Sequence, residues 1–348
     1  MSILGMLFRP LFATVLIGVN YNSTMCHVKV VKKRGRRVVE ESDKEFKILN
    51  GDLSADVLKY IKKIKARYAY SYLSIISKSE EQTLVPSVKK ASLNDFGINE
   101  KDYKVLKMPN AFVCMLKHDI DDYKKSFKKA KGLDFLFSPF VLLFFKAKTF
   151  LGDMPKLFVL QEKETLSIFV STRKEILYGA FLQMSSAEKV ISISSDSTSV
   201  HGASSESLIA TQVSSTAKGV DDLNTELSGL DEELADLDSF DFDSLSAENS
   251  ENVSGSSDSS GDSGGMDSLH DLGRSTSIIN LLQASIKDFY HNSLYNGEFI
   301  EEIVIFDCYG MSSQAVENIR QNLMIDLSVV ATDLTKEITN LAQFELDS

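Results

Sequence analysis

The chain has 348 residues, 43% of them hydrophobic, and a net charge of −11. That is enough for one large or two small domains with a real core. The charge is uneven: residues 196–272 hold 18 acidic side chains and one basic, Lys218, which leaves the rest of the chain near +6. With no basic stripe interleaved with aromatics, no nucleic-acid partner is expected.

Residues 1–12 form an apolar, amphipathic lead (Ile3, Leu4, Leu7, Phe8, Leu11, Phe12). Arg9-Pro10 opposes a spanning helix, and no signal-peptide pattern is clear. Peripheral contact of this lead with a membrane stays open. Residues 14–19 are β-branched and apolar, as in a buried central strand. Asn20, Asn22, Ser23 and Thr24 make a small polar turn, and residues 25–31 run back. Such a turn suits an anion or a plain hairpin equally.

A basic turn around Gly35 leads to a third strand over 38–49. Ser54 offers an N-cap to a helix over 55–67, with Val57, Leu58, Ile61 and Ile64 on one face. Residues 70–77 are strand-like, so this part reads βββαβ. Residues 80–98 read as loop. Short strands over 103–106 and 111–116 precede a helix over 119–129, whose acidic start and basic end suit the helix dipole. A strand over 133–137 and an apolar helix over 139–150 with Pro139 in its first turn follow.

Strands over 156–162, 165–170 and 175–184 then repeat the strand, polar turn, strand, basic turn, strand plan of residues 13–49. This suggests a duplicated α/β unit. Residues 185–276 are rich in Ser, Asp and Gly, and too poor in apolar surface to offset chain entropy, so the expectation is disorder. Within them Leu223, Leu227, Leu230, Leu234 and Leu237 recur at 4-3-4-3 spacing. Over 220–238 this is a candidate docking helix that folds on a partner; the alternative is an inert acidic linker. Order resumes at 277, with helix over 278–290, strand 299–306, a turn holding Gly310, helix 314–323, strand 326–332 and helix 334–346.

Cys26, Cys114 and Cys308 lie far apart in apolar runs without metal-ligand spacing. They read as buried thiols in a reducing cytoplasm. No phosphate-binding Gly-x-x-x-x-Gly-Lys, Gly-x-Ser-x-Gly, His-Glu-x-x-His or Cys-x-x-Cys motif occurs. Neither a catalytic residue nor a metal site is expected.

This order of elements resembles the actin-like ATPase plan of two ribonuclease-H-like halves, α/β with mixed sheets flanked by helices. Within it the chain is similar to the PilM and GspL cytoplasmic domains of type IV pilus and type II secretion systems. The resemblance rests on Leu16-Ile17-Gly18-Val19-Asn20-Tyr21-Asn22-Ser23-Thr24 with Val28-Lys29-Val30-Val31, and on Gly132-Leu133-Asp134. In the tail it rests on Ile279-Asn280-Leu281-Leu282, Asp288-Phe289-Tyr290, Ile303-Val304-Ile305-Phe306 and Gly310.

The resemblance implies a first half over 13–152 with a small inserted subdomain at about 78–131. A second half spans 153–184 and 277–348, interrupted by the insert 185–276. It also implies a degenerate nucleotide site at Asn20, Asn22, Ser23, Thr24, Lys29 and Gly310. Asn20 stands where ATP-binding members carry an acid. The second turn has Glu162 and Glu164 in place of an Asp-x-Gly, and those carboxylates repel phosphate. ATP and magnesium are therefore disfavoured.

The implied role is a non-catalytic scaffold in the cytoplasm, at the inner face of a bacterial inner membrane. Its partners would be a bitopic assembly protein, a secretion ATPase, or both; homodimerisation stays open. The alternatives are a working ATPase or kinase-like enzyme, and an FtsA-like division protein.

Overall fold

The computed structural model describes residues 13–48, 53–87, 92–184 and 264–348, with side chains from 271 onward in the last segment. All of them belong to one compact unit. The lead over 1–12 and the leucines at 223, 227, 230, 234 and 237 lie outside the described residues.

The first sheet is ordered β3-β2-β1-β4-β8. It uses β1 (Thr14–Tyr21), β2 (Met25–Arg34), β3 (Arg37–Lys47), β4 (Tyr70–Ile76) and β8 (Phe135–Phe137). The second is ordered β11-β10-β9-β12-β13, from β9 (Lys156–Gln161), β10 (Thr165–Ser171), β11 (Ile176–Gln183), β12 (Glu302–Asp307) and β13 (Asp326–Ala331). In each sheet the first three strands are antiparallel and the last two run parallel to the first. The duplication expected from the paired hairpins is therefore a duplication of sheet topology.

Between β4 and β8 lies a three-stranded sheet, β5 (Gln82–Val85), β7 (Ala111–Leu116) and β6 (Tyr103–Met108). β5 falls in the stretch expected as loop. Its four residues are too few to show a period, and its pairing with β7 alone makes it a strand. Helix α1 (Ala55–Arg67) is capped by Ser54 and buries Val57, Ile61 and Ile64. A short α2 (Ser92–Asp95) and α3 (Lys117–Ser126) belong to the inserted part.

Helix α4 (Pro139–Ala147) ends nearer its start than expected. Helix α5 (Gly264–His291) begins inside the stretch expected to be disordered, so the boundary at 276 is too late. Its first part is rich in Gly and Ser, poor helix formers, and composition hid it. α6 (Ser313–Leu323) and α7 (Leu334–Asp347) complete the chain.

Two helices are exchanged between the lobes. α4 follows the last strand of the first sheet but packs on β9 and β10 of the second. α7 follows the last strand of the second sheet but packs on β1, β2 and β4 of the first. The layer between the sheets is one apolar core. Leu16 and Val31 share it with Phe158, Leu160 and Phe306, and with Phe140 of α4 and Ile338 of α7. Gly18 admits α7: a Cβ there would stand 2.7 Å from the Thr335 carbonyl oxygen. On the far face of the second sheet, α5 and α6 cover Leu157, Val159, Ile303 and Ile305.

Candidate functional site at the facing hairpin turns

β1 and β2 are joined by the two-residue turn Ser23-Thr24, closed by a hydrogen bond from Asn22 N to Met25 O (2.9 Å). Asn22 shapes it, because its Oδ1 accepts from Thr24 N (2.9 Å), Thr24 Oγ1 (3.0 Å) and Met25 N (2.9 Å). β9 and β10 are joined in the same way by Lys163-Glu164, with Glu162 N donating to Thr165 O (3.0 Å). In register, then, Ser23 corresponds to Lys163 and Thr24 to Glu164.

The two tips bond to each other. Ser23 N donates to Glu164 Oε1 at 3.0 Å, and the Ser23 hydroxyl donates to the same oxygen. Lys163 Nζ donates to Thr24 Oγ1 at 2.9 Å. The first position of each turn thus reaches the second position of the other. Such reciprocity is what an approximate two-fold relation between the lobes produces.

The second turn is held from behind as well. Glu162 is buried and pairs with Lys78, which follows β4, and accepts from the Thr165 hydroxyl (3.2 Å). Arg274 of α5 donates Nη1 to Lys163 O (2.6 Å) and Nη2 to Glu162 O. Its guanidinium lies 3.9 Å from the centre of the Tyr309 ring, and its buried Nε has no partner. Burial pulls the Arg274 pKa below its usual value against the opposing effect of Tyr309, Asp307, Asp271 and Glu164.

Tyr309 and Gly310 belong to the turn after β12. There the Asp307 carboxylate accepts from Tyr309 N (2.9 Å), Gly310 N (3.0 Å) and Met311 N (2.7 Å). Gly310 has φ 90°, a conformation that side chains strain. Ser312 caps α6 and bonds to Asp271 of α5.

Of the expected site residues, Asn22, Ser23 and Thr24 form the clasp, and Gly310 connects to it through Tyr309 and Arg274. Asn20, next to last in β1, lies nearby, with its Oδ1 buried and unpartnered. Lys29 does not join them. It stands across from Gly18, two pairs back from the Asn20–His27 pair, and its ammonium meets Asp43 (2.7 Å) and Asp333 (3.2 Å). Level with Asn20 is His27, 3.2 Å from Glu45. The resemblance alone groups Lys29 with the turn; the strand register sets it two pairs back.

The two carboxylates of the second turn are engaged differently. Glu162 is neutralised by Lys78, while the Glu164 carboxylate holds the Ser23 N–H and hydroxyl, the donors a phosphate would need. As arranged, the residues do not fit a nucleotide between the turns. Among the described residues no group of three or more His, Cys, Asp or Glu could hold a metal ion.

The mirrored sheets, exchanged helices and facing turns define a two-lobed actin-like α/β protein. Residues 157–347 match the family described as "Domain of unknown function (DUF8341)", and the chain belongs to that family. Residues 12–144 match a second, "Domain of unknown function (DUF8569)". Residues 145–156 between the two matches hold the end of α4 and the connection to β9.

No curated protein matches the sequence. Among solved structures, the chain is similar to a protein of actin-like ATPase fold and unknown function from Bacteroides thetaiotaomicron (8% identity, 94% of this chain and 96% of that one, TM-score 0.43). It is also similar to a chain of a PilM-PilN type IV pilus biogenesis complex (12%, 93% and 89%, TM-score 0.49). A third is the ethanolamine utilization protein EutJ from Carboxydothermus hydrogenoformans (8%, 95% and 89%, TM-score 0.43). Among the described residues no helix is long and apolar enough to cross a membrane.

Proposed function

We propose that this chain is a non-catalytic actin-like scaffold at the cytoplasmic face of a bacterial envelope assembly machine. There it binds the cytosolic peptide of a membrane partner, an assembly ATPase, or both. The observation that carries the non-catalytic part is the clasp between Ser23-Thr24 and Lys163-Glu164. The turns that would bracket a nucleotide's phosphates are satisfied by each other, and Asn20 beside the first turn is an amide where the resemblance implies an acid. The choice of an envelope machine rests on the sequence resemblance.

Two measurements test the proposal. Calorimetry with millimolar ATP and magnesium is expected to give no binding heat. Co-purification from cells of origin is expected to return envelope-assembly proteins, and a set without any of them sinks the assembly role. A working ATPase is the competing reading. In its favour, Ser23 already binds one carboxylate through a backbone N–H and a hydroxyl, the donors an oxyanion uses. Magnesium-dependent ATP turnover by the unmodified protein would establish it.

A further inference from the structure

The clasp joins groups of opposite character. The first turn presents donors, Ser23 N–H and Ser23 Oγ–H, shaped by Asn22. The second presents one carboxylate, with the Lys163 ammonium beside it turned to Thr24. Lys78 and Arg274 bind the back of the second turn through Glu162 and through carbonyl oxygens. Three cations therefore converge on this junction, and Glu164 is the carboxylate set against the first turn's donors.

We infer that Glu164 is a built-in ligand of the Asn22–Met25 turn. It is a latch that places a carboxylate where an oxyanion would bind, and so ties the lobes together without a nucleotide. The inference rests on the geometry of the two turns and is independent of which machine the protein serves. An external phosphate-type anion can occupy the first turn only by displacing Glu164. The latch is releasable: Ser23 and Thr24 are exposed and Glu164 half-exposed, and exposed charge-assisted contacts are weak and screened by salt. Removing the carboxylate should leave the donors, Lys163 and Arg274 in place, with Lys78 still matched by Glu162, which converts a self-satisfied junction into an anion site.

The test uses the full chain and inorganic pyrophosphate as probe. Glu164→Ala removes the latch. Glu164→Gln removes only its charge, and serves if the alanine variant folds poorly. Titration calorimetry is expected to show pyrophosphate binding at least tenfold tighter to either variant than to the unmodified protein. Adding Ser23→Ala, which removes the hydroxyl donor and keeps the N–H, should reduce the gain. Amide exchange across residues 22–25 should speed up in Glu164→Ala and slow again with pyrophosphate.

Unchanged pyrophosphate affinity, or unchanged exchange at 22–25, would overturn the latch. Neither result bears on co-purification by the unmodified protein, which decides the scaffold role separately.

Discussion

At the scale of single residues, two positions report how tightly α7 is seated on the first sheet. Gly18 is one: an added Cβ would meet the Thr335 carbonyl oxygen and the Thr339 methyl group, both at 2.7 Å. Backbone oxygen cannot move aside as a side chain can, so Gly18→Ala should destabilise the protein by about 1–3 kcal/mol, measured by denaturant unfolding. Asp333 is the other. It caps α7 by accepting from Lys336 N (3.0 Å), and it pairs with Lys29. Burial would raise its pKa, but the Thr335 hydroxyl, the Lys336 amide and Lys29 outweigh it, so the pKa is lowered. Burial would lower that of Lys29, but Asp43 and Asp333 outweigh it and the pKa is raised. The carboxylate's contribution is thus whole above the unfolded value near pH 3.8 and lost as pH falls through the lower folded value. The ammonium's is whole below 10.5 and lost as pH rises past the raised value. Asn caps as well as Asp does. Asp333→Asn should therefore keep the cap while flattening the fall in stability on acidification, whereas Asp333→Ala should also lose about 1 kcal/mol at neutral pH. An equally steep acid limb in Asp333→Asn would show that this carboxylate does not set it.

At the scale of elements, Arg274 links three of them: α5, the β9–β10 turn and the turn after β12. Its fork uses two carbonyl oxygens at once while its plane stacks on Tyr309, a pairing that an ammonium cannot reproduce. Arg274→Lys should therefore behave almost like Arg274→Ala. Both should cost about 1–3 kcal/mol and raise amide exchange in the part of α5 before Ile278. A lysine variant with unmodified stability would refute the fork. The strands were legible because β-branched, apolar runs between polar turns announce themselves, and the paired hairpins announced the duplication. Helix α5 was less so: its Gly and Ser residues match a linker, and tertiary contacts of Arg274, Ser275 and Ile278 extend it. One signal was available, since Arg274 is the only Lys or Arg between 219 and 286. The polar turn at Asn22, Ser23 and Thr24 was legible as a turn, and Glu164 as a carboxylate in its counterpart. That Glu164 meets Ser23 was not, because contacts across 141 residues depend on how the lobes close. The position of Lys29 relative to the turn was not legible either, because only the pairing register shows that His27, not Lys29, stands opposite Asn20.

At the scale of the whole molecule, the exchange of α4 and α7 decides how it unfolds. Neither sheet buries both faces with its own helices alone, since each borrows one from the other half of the chain. The shared core joins Leu16 and Ile76 of the first sheet to Phe158, Phe169 and Val304 of the second through Phe140, Leu143, Ile338 and Leu341. A lobe that opened alone would expose this apolar layer at roughly 25 cal/mol per Å², so separate unfolding is disfavoured and one cooperative transition is expected. Ile338→Ala tests this from α7. Ile338 is fully buried in the shared core, and its truncation should cost about 2–5 kcal/mol. The loss should appear equally in native-state amide exchange of β1 and of β9, because global opening exposes both. Calorimetric and van't Hoff enthalpies should agree for the variant as for the unmodified chain. Were the lobes independent, exchange would rise in β1 beneath α7 while β9 stayed protected, and the thermal transition would split in two.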